Sequence, residues 1–149
     1  MDYKQDFKTR YTSLAEDKCE EYLKAKDIEY KRFGWDFLKD PISSTNFFKL
    51  PNNMRSLPDF IIFTDKAYFV EVKGCKYFLR IKHDDMKVYT FWDKIMDLFF
   101  FVYSSVRNKI YKLSYSDIND ITKHCETKVY PDNNKKYFLI ENRYLEERG

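Results

Sequence analysis

The alternation of apolar and polar positions divides the first third of the chain into a helix, a strand and a connection. Apolar residues at three- and four-residue spacing predict an amphipathic helix over residues 10–26. Its apolar stripe is formed by Tyr11, Leu14, Ala15, Cys19, Tyr22 and Leu23. Residues 28–33 predict a short strand. Residues 34–57 carry prolines, serines and asparagines without a period, which predicts a long irregular connection.

Two apolar runs near the middle of the chain predict the centre of a sheet. Residues 58–64 and 67–73 are rich in β-branched and aromatic side chains, as in strands that are covered on both faces. They should form a hairpin, and Pro58 is tolerated because it opens its strand. A further extended segment is expected over residues 76–82.

The second half of the chain predicts another helix followed by two strands. Asp84 or Asp85 can cap this helix. Its apolar stripe is formed by Val88, Phe91, Trp92, Ile95, Met96 and Phe99. Strands are expected over residues 100–104 and 109–113, and a short helix should follow around residues 118–121.

Length and composition indicate one packed domain. With 149 residues the chain is treated as a single unit over residues 1–149, and 19% aromatic and 34% charged residues are typical of a globular protein. The tail predicts a turn at 131–134 and a strand over 137–140. The longest apolar stretch, residues 98–103, is too short to cross a bilayer, and the first residues lack the apolar core of a signal peptide. We therefore expect an intracellular protein that does not contact a membrane.

The cysteines and histidines argue against a disulfide framework and a zinc site. Cys19, Cys75 and Cys125 are odd in number, far apart and without close pairs, so we interpret them as free thiols. His83 and His124 are the only histidines in the chain. The formal charge of +3 is too small to indicate nucleic-acid binding by itself.

The central hairpin carries charges that need an explanation. Acid-x-Lys tripeptides occur seven times in the chain, but only Glu71-Val72-Lys73 lies in a predicted strand that follows a Pro-Asp strand. Residues two apart share a face, so Glu71 and Lys73 point together while Val72 points into the opposite layer. A charge in apolar surroundings is costly unless it is paired or bound to a metal.

The hairpin register decides whether Asp59 joins Glu71. A three-residue loop at 64–66 sets these two acids opposite each other on one face. A two-residue loop would pair Asp59 with Val72 and separate the acids. We predict the odd-length loop, or a bulge near Asp59 with the same result.

Two carboxylates beside a strand carbonyl form an all-oxygen site that suits Mg²⁺, with Mn²⁺ as an alternative. We expect Asp59, Glu71 and the Val72 carbonyl to be the ligands. Lys73 can then orient the attacking water or help to deprotonate it. The alternative is an ion pair between Lys73 and one of the acids that only stabilises the sheet.

Glu16 is a further candidate ligand. On a helical wheel it lies at the edge of the packed face of the first helix, from which it could reach the metal cluster directly or through water. Ser13-x-x-Glu16 also fits a capping box, in which the glutamate serves only the start of the helix. The spacing leaves both interpretations open.

With these residues placed, the chain resembles the PD-(D/E)XK nuclease superfamily over roughly residues 10–115. Pro58-Asp59, eleven intervening residues and Glu71-Val72-Lys73-Gly74 are similar to its signature, which there marks two metal-binding acids and a catalytic lysine. The order of elements is similar to its αβββαβ core. The resemblance implies an α/β, restriction-endonuclease-like fold with a central mixed sheet flanked by helices. In small members such as archaeal Holliday junction resolvases an early glutamate joins the site, which favours Glu16.

The resemblance implies a Mg²⁺-dependent endonuclease that cleaves DNA with metal-activated water. Its catalytic residues would be Asp59, Glu71, Lys73 and Glu16. The alternatives are a resolvase of branched DNA and a catalytically silent nucleic-acid-binding module with the same fold. Because one site cuts one strand, we expect a homodimer or a higher homo-oligomer.

Positive side chains around the proposed site are expected to contact the DNA backbone. These residues are Arg55, Lys76, Arg80, Lys82 and Lys87. For Arg80 and Lys82 the alternative is a solvated edge strand whose charges discourage aggregation.

Overall fold

A computed structural model of the protein describes residues 3–35 and 42–148, with side chains described from residue 14 onward. In chain order the described elements are α1 (Tyr3–Ala25), β1 (Glu29–Arg32), α2 (Ser44–Phe47), α3 (Asn52–Arg55), β2 (Phe60–Phe63), β3 (Ala67–Cys75), β4 (Phe78–Lys82), α4 (His83–Ile95), β5 (Leu98–Ser104), β6 (Lys109–Ser114), α5 (Tyr115–Thr122), β7 (Glu126–Val129), β8 (Lys136–Glu141) and α6 (Asn142–Arg148).

The main sheet is mixed and has the strand order β1-β2-β3-β5-β6. Strands β1, β2 and β3 pair antiparallel, β3 and β5 pair parallel, and β5 and β6 form an antiparallel hairpin. The parallel pair requires a crossover, which β4 and α4 supply. Strand β3 therefore lies at the centre of the sheet, and its side chains are covered on both faces.

The central hairpin has the register that the sequence predicts. Phe63 pairs with Ala67, so the loop consists of residues 64–66. The assigned pairs end at Phe60 and Val70, and the Asp59 amide also donates to the Val70 carbonyl, one residue out of this register, as in a β-bulge. The prediction of an odd-length loop is confirmed.

Helices cover both faces of the main sheet. Helix α1 packs its buried residues against one face, in a core formed by Ala15, Cys19, Leu23, Phe60, Val70, Val72, Phe101 and Tyr103. Helices α4 and α5 pack against the other face, around Phe69, Phe100 and Val102. Since neighbouring residues of a strand point to opposite faces, Glu71 and Lys73 point toward α4 with Phe69.

A second, antiparallel sheet has the strand order β4-β8-β7. Its inner side chains Leu79, Ile81 and Ile140 join the core under α4. The extended segment predicted over residues 76–82 is thus a strand, but it pairs outside the main sheet. Strand β7 and helix α6 were not predicted, since their sequences show neither apolar alternation nor a clear helical stripe.

Buried hydrogen bonds join the two sheets where β3 turns into β4. The Lys76 carbonyl accepts hydrogen bonds from Ser104 Oγ at 2.7 Å and from Asn142 Nδ2 at 3.0 Å. The backbone amide of Asn142 also donates to the Tyr77 carbonyl, at 3.3 Å. Ser104 and Asn142 are both buried. These bonds satisfy polar groups inside the protein and fix the small sheet relative to the main sheet.

Helix α1 begins earlier than predicted, at Tyr3 rather than near residue 10. Ser13 therefore lies inside the helix and cannot cap its start, so the capping-box interpretation of Glu16 is wrong. The predicted stripe is confirmed at Ala15, Cys19 and Leu23, which are buried. The side chain of Tyr11 lies outside the described residues.

Helix α4 begins one residue before the predicted caps. Lys82 occupies the N-cap position, and Asp84 and Asp85 lie in the first turn, where carboxylates interact favourably with the helix dipole. The buried side is formed by Met86, Val88, Tyr89 and Trp92. Phe91 and Ile95 of the predicted stripe are exposed to solvent. The expected connection over residues 34–57 contains α2 and α3, and its residues 36–41 lie outside the described part.

Three smaller expectations can be compared with the structure. Cys19, Cys75 and Cys125 are free thiols, as predicted. Strand β6 and helix α5 lie where the sequence places them, but β5 begins at Leu98, so Phe99 belongs to this strand and its assignment to the helix stripe is wrong. Across the described residues, no helix combines the length and the apolar character needed to span a bilayer.

The core under α4 should dominate the stability of the fold. We expect Leu79→Ala to lower the free energy of unfolding by about 2–5 kcal/mol, because Leu79 is 1% exposed and its removal leaves a cavity. Leu14→Ala is the control, since Leu14 is 44% exposed. Its effect should stay within about 0.5 kcal/mol. Urea denaturation measures both, and equal losses would contradict this assignment of the core.

Candidate active site

Asp59 replaces a missing strand partner of β3. The Phe69 amide donates to the Asp97 carbonyl on the β5 side, and amide directions alternate along a strand, so the Val72 amide faces β2. Strand β2 begins only at Phe60. The Asp59 Oδ2 atom accepts the Val72 amide hydrogen at 2.7 Å instead. The Val72 carbonyl faces the same side as its amide and therefore lies beside the Asp59 carboxylate.

The backbone of Asp59 is held from both neighbouring strands. Its amide donates to the Val70 carbonyl at 3.1 Å, and its carbonyl accepts from the Phe33 amide at 2.9 Å. A side chain at Gly34 would begin 3.9 Å from the second carboxylate oxygen, Oδ1. The carboxylate is thus fixed by one oxygen, and the other lies beside a residue without a side chain.

The carboxyl groups of Glu71 and Asp59 interact closely. Burial raises the pKa of Glu71 well above its ordinary value, and the negative charge of Asp59, with a hydrogen bond between the two carboxyl groups, raises it further. The Lys73 ammonium lowers this pKa but does not offset the two larger effects. Two neighbouring carboxyl groups carry two negative charges favourably only with a cation nearby.

Lys73 lies against α4. Its Nζ atom is 5.3 Å from the centre of the Tyr89 ring, which allows a cation–π contact. Burial lowers the pKa of Lys73, but Tyr89, Glu71 and Asp85 together raise it above its ordinary value. Lys73 is therefore a stable cation, which suits it to donate hydrogen bonds rather than to remove a proton.

Glu16 is held by Arg32 on the side of the sheet that α1 covers. Glu16 Oε2 lies 3.3 Å from Arg32 Nη1, and Glu20 accepts a second, short hydrogen bond from the same guanidinium. Tyr30 donates to Glu20 at 3.2 Å. In the part of the chain that the structure describes, no three His, Cys, Asp or Glu residues form a group that could hold a metal. The role of Glu16 as a ligand stays a prediction.

Three of the predicted DNA-binding residues lie at the start of the small sheet. Lys76, Arg80 and Lys82 are all exposed. Lys76 belongs to the turn that leaves β3, while the other two alternate with buried residues along β4. Their positions leave their positive charges accessible to a polyanion.

The other two predicted DNA-binding residues have partners within the protein. Lys87 is exposed and lies 3.9 Å from Asp84, one turn earlier in α4. The Arg55 guanidinium is 5.2 Å from the centre of the Phe48 ring, and its Nη2 atom lies 3.5 Å from Asn52. Arg55 thus lies against the α2–α3 region, and its contact with DNA stays a prediction.

The comparison with solved structures identifies the fold. The structure is similar to D212, a nuclease from a fusselovirus, with a TM-score of 0.50, 13% identity, and 93% of this chain and 84% of that chain covered. The chain has the restriction-endonuclease-like fold. It is also similar to Hjc, a Holliday junction resolvase of the archaeal hyperthermophile Archaeoglobus fulgidus, with a TM-score of 0.46, 9% identity, and 82% and 83% coverage. No protein-family model matches the sequence, and no curated protein matches it.

The sequence analysis did not identify Tyr89, Asp85 and Arg32 as residues near the candidate site. The first two are four residues apart on α4 and share a helix face, so their spacing could have shown that both point toward β3. Arg32 gives no comparable signal. Its two glutamate partners are distant in sequence and become neighbours only when β1 packs beside α1.

Arg32 should contribute to stability as the cation shared by two glutamates. The side chains of Arg32, Glu16 and Glu20 are only 20%, 12% and 22% exposed. Arg32→Ala leaves two acids facing each other, and we expect a loss of about 1–3 kcal/mol in the free energy of unfolding. Adding Glu16→Gln to this variant should restore part of the loss, because it removes the repulsion.

Lys24→Ala is the matched control for this experiment. Lys24 pairs with Glu20 at 3.7 Å but is 69% exposed, so its removal should cost less than about 0.5 kcal/mol. Chemical denaturation at neutral pH compares the variants. An Arg32→Ala protein as stable as the Lys24→Ala protein would show that the buried cation is not needed.

Proposed function

We propose that the protein is a divalent-metal-dependent endonuclease that hydrolyses phosphodiester bonds of DNA. One observation carries the proposal: the Asp59 carboxylate accepts the amide hydrogen of Val72, the residue between Glu71 and Lys73, and the charge of Asp59 acts on the buried Glu71 carboxyl group. An ion pair that only stabilises the sheet would need one acid and one base. The second acid is costly there unless a cation balances it.

The donor atoms at this position fit a hard divalent cation. Two carboxylates and a backbone carbonyl offer oxygen only, which suits Mg²⁺ and also Mn²⁺. We assign Asp59, Glu71 and the Val72 carbonyl as ligands. For Glu16 we propose a contact through water, because Arg32 holds its carboxylate.

The residues around the site would have different roles in phosphodiester hydrolysis. A divalent cation, when bound, would lower the pKa of water and offset negative charge on the phosphate. Asp59 is oriented by the Val72 amide, so its carboxylate is positioned before any ligand binds. Lys73, as a cation, donates a hydrogen bond to the attacking water or to a phosphate oxygen. Tyr89 contacts Lys73 and restricts where its ammonium can point.

DNA is the proposed substrate because accessible positive charge lies next to these residues. Lys76, Arg80 and Lys82 follow directly on β3 and would neutralise phosphates. Lys87 and Arg55 would contribute once they exchange their partners within the protein for phosphate. Symmetric cleavage of a duplex would need a second copy of the chain, so we propose a homodimer for that reaction.

The pairing of Glu16 with Arg32 favours a second candidate function. With two acids beside Val72 among the described residues, the protein could bind nucleic acid on the same fold without cleaving it. This candidate requires no divalent metal. Binding that is unchanged by a chelator, together with no cleavage in Mg²⁺ or Mn²⁺, would support it over the nuclease.

Divalent metal should stabilise the protein through Asp59. We expect about 10 mM Mg²⁺ to raise the melting temperature by roughly 2–5 °C, since a ligand that binds only the folded state adds stability. Asp59→Asn should abolish this shift while keeping the fold, because an amide oxygen can still accept the Val72 hydrogen bond. Asp97→Asn, at the other end of β3, is the control and should retain the shift. Equal shifts in both variants would remove Asp59 from the metal site.

Lys73 should be needed for cleavage but not for binding. We expect Lys73→Met, which keeps the aliphatic stem beside Tyr89, to lower the cleavage rate by about 100-fold or more. Binding in the presence of a chelator should change little. Matched linear duplex, four-way junction and single-stranded DNA are incubated with Mg²⁺, which also separates a resolvase from a less selective nuclease. Lys66→Met, in the hairpin loop, is the control, and a fully active Lys73→Met protein would contradict the assignment.

A further inference from the structure

The outer face of the small sheet carries aromatic and cationic side chains in alternation with the buried ones. On β4, Phe78, Arg80 and Lys82 are exposed, while the residues between them are buried. Lys82 pairs across the strands with Tyr137 of β8. Tyr137 in turn pairs with Lys128 of β7. Directly paired residues share a face, so these side chains form one surface.

Phe78 is the exposed aromatic ring of this surface, whereas the two tyrosine rings are half-buried and pack on each other. The Tyr130 and Tyr137 rings lie 4.2 Å apart, and the Arg80 guanidinium is 6.0 Å from the centre of the Tyr137 ring. Phe78, at the far end of β4, is 41% exposed. We call this surface the aromatic–cationic face, formed by Phe78, Arg80, Lys82, Lys128, Tyr130 and Tyr137.

The face also holds two acids, since Glu141 pairs across the strands with Phe78 and Glu126 with Leu139. Among the residues that the structure describes, Arg80 and Lys82 form no ion pair, whereas Lys128 pairs with Glu126 at 3.4 Å. Glu141, at the end of β8, is paired with an arginine of α6 at 2.9 Å. The charge that remains on β4 favours a polyanion.

One end of the aromatic–cationic face adjoins the candidate active site. Lys82 directly precedes α4, whose Asp85 acts electrostatically on Glu71 and Lys73. The charge of Asp85 also acts on Tyr130 of the face. At the other end, Phe78 and Arg80 border an open cavity of about 480 Å³. The aromatic–cationic face therefore extends along β4 to the start of α4, the helix whose Tyr89 contacts Lys73.

We propose that the aromatic–cationic face binds a single-stranded segment of nucleic acid. Phe78 stacks on an unpaired base, and Arg80 and Lys82, which lie beside the packed tyrosines, contact phosphates; an aromatic ring beside cations is the usual site for single strands. A duplex presents phosphates to the same cations but keeps its base faces stacked inside, so it gains nothing from the Phe78 ring. The proposal rests on the proposed function and extends it by naming a substrate class, namely DNA with an unpaired region.

Charge argues against other occupants of the face. A second copy of this chain, seated face to face, would bring two sets of unpaired cations together, which is unfavourable. An acidic protein segment would satisfy Arg80 and Lys82 but would not require the exposed Phe78 ring. A single strand uses both features of the surface.

The test measures binding by fluorescence anisotropy in a chelator, so that no cleavage occurs. The probes are a labelled oligothymidylate and a labelled duplex of the same length. We expect Phe78→Ala to weaken binding of the single strand by at least about fivefold, which is the lower limit for loss of one stacked base, and to leave duplex binding unchanged. Phe63→Ala is the matched control, because Phe63 is 42% exposed at the hairpin end of β2.

The salt dependence of binding separates the cations from the rings. For the single strand, Arg80→Ala with Lys82→Ala should lower the slope of log affinity against log salt by about 1.4, or roughly 0.7 for each phosphate that is no longer neutralised. Phe78→Ala should leave this slope unchanged. Lys94→Ala is the control, since Lys94 is exposed at the opposite end of α4 from Lys82.

The outcomes for the face and for the nuclease can be told apart. If the single strand binds as described but no divalent metal supports cleavage, the face is supported and the nuclease proposal fails. If the wild type cleaves DNA while Phe78→Ala and Phe63→Ala bind the single strand equally, the face proposal is overturned and the nuclease stands. Equal affinity of the wild type for duplex and single strand would also overturn the face proposal.

Discussion

The hydrogen bond from the Val72 amide to the Asp59 carboxylate determines where the candidate site lies. Strand β2 stops pairing with β3 before Val72, and a buried amide without a partner costs free energy. A carboxylate at position 59 removes that cost. The same contact brings Asp59 beside Glu71, so one interaction closes the sheet and assembles the acidic pair.

Buried ionisable groups at the candidate site destabilise the folded state, and burial of apolar side chains elsewhere in the fold must offset this. Glu71 and Lys73 are the ionisable acid and base of the central strand β3, whose neighbouring residues are mostly apolar, and burial and Asp59 raise the pKa of Glu71. The core under α4 and the contacts of α1 supply the compensating burial. Tyr89 contributes to both, because it is buried in that core and contacts the Lys73 ammonium.

The sequence was informative wherever local geometry decides the outcome. The loop of residues 64–66 fixes the hairpin register up to Phe60 and Val70, and an irregular bond from the Asp59 amide to the Val70 carbonyl then brings the Asp59 carboxylate to the Val72 amide. The sequence also predicted an extended segment where β4 lies, but a strand's own residues do not specify which neighbour it will pair with. The pairing of Arg32 with Glu16 depended on how β1 lies beside α1, which no spacing along the chain encodes.

The hydrogen bonds among Lys76, Ser104 and Asn142 hold the candidate active site and the aromatic–cationic face in a fixed relative position. They lock the turn between β3 and β4, which is the covalent link from Lys73 to Phe78 and Arg80. A rigid turn keeps the distance from Lys73 to Phe78 and Arg80 constant. If both proposals hold, a strand bound by the small sheet would be cut at a set number of nucleotides from the point where it is bound.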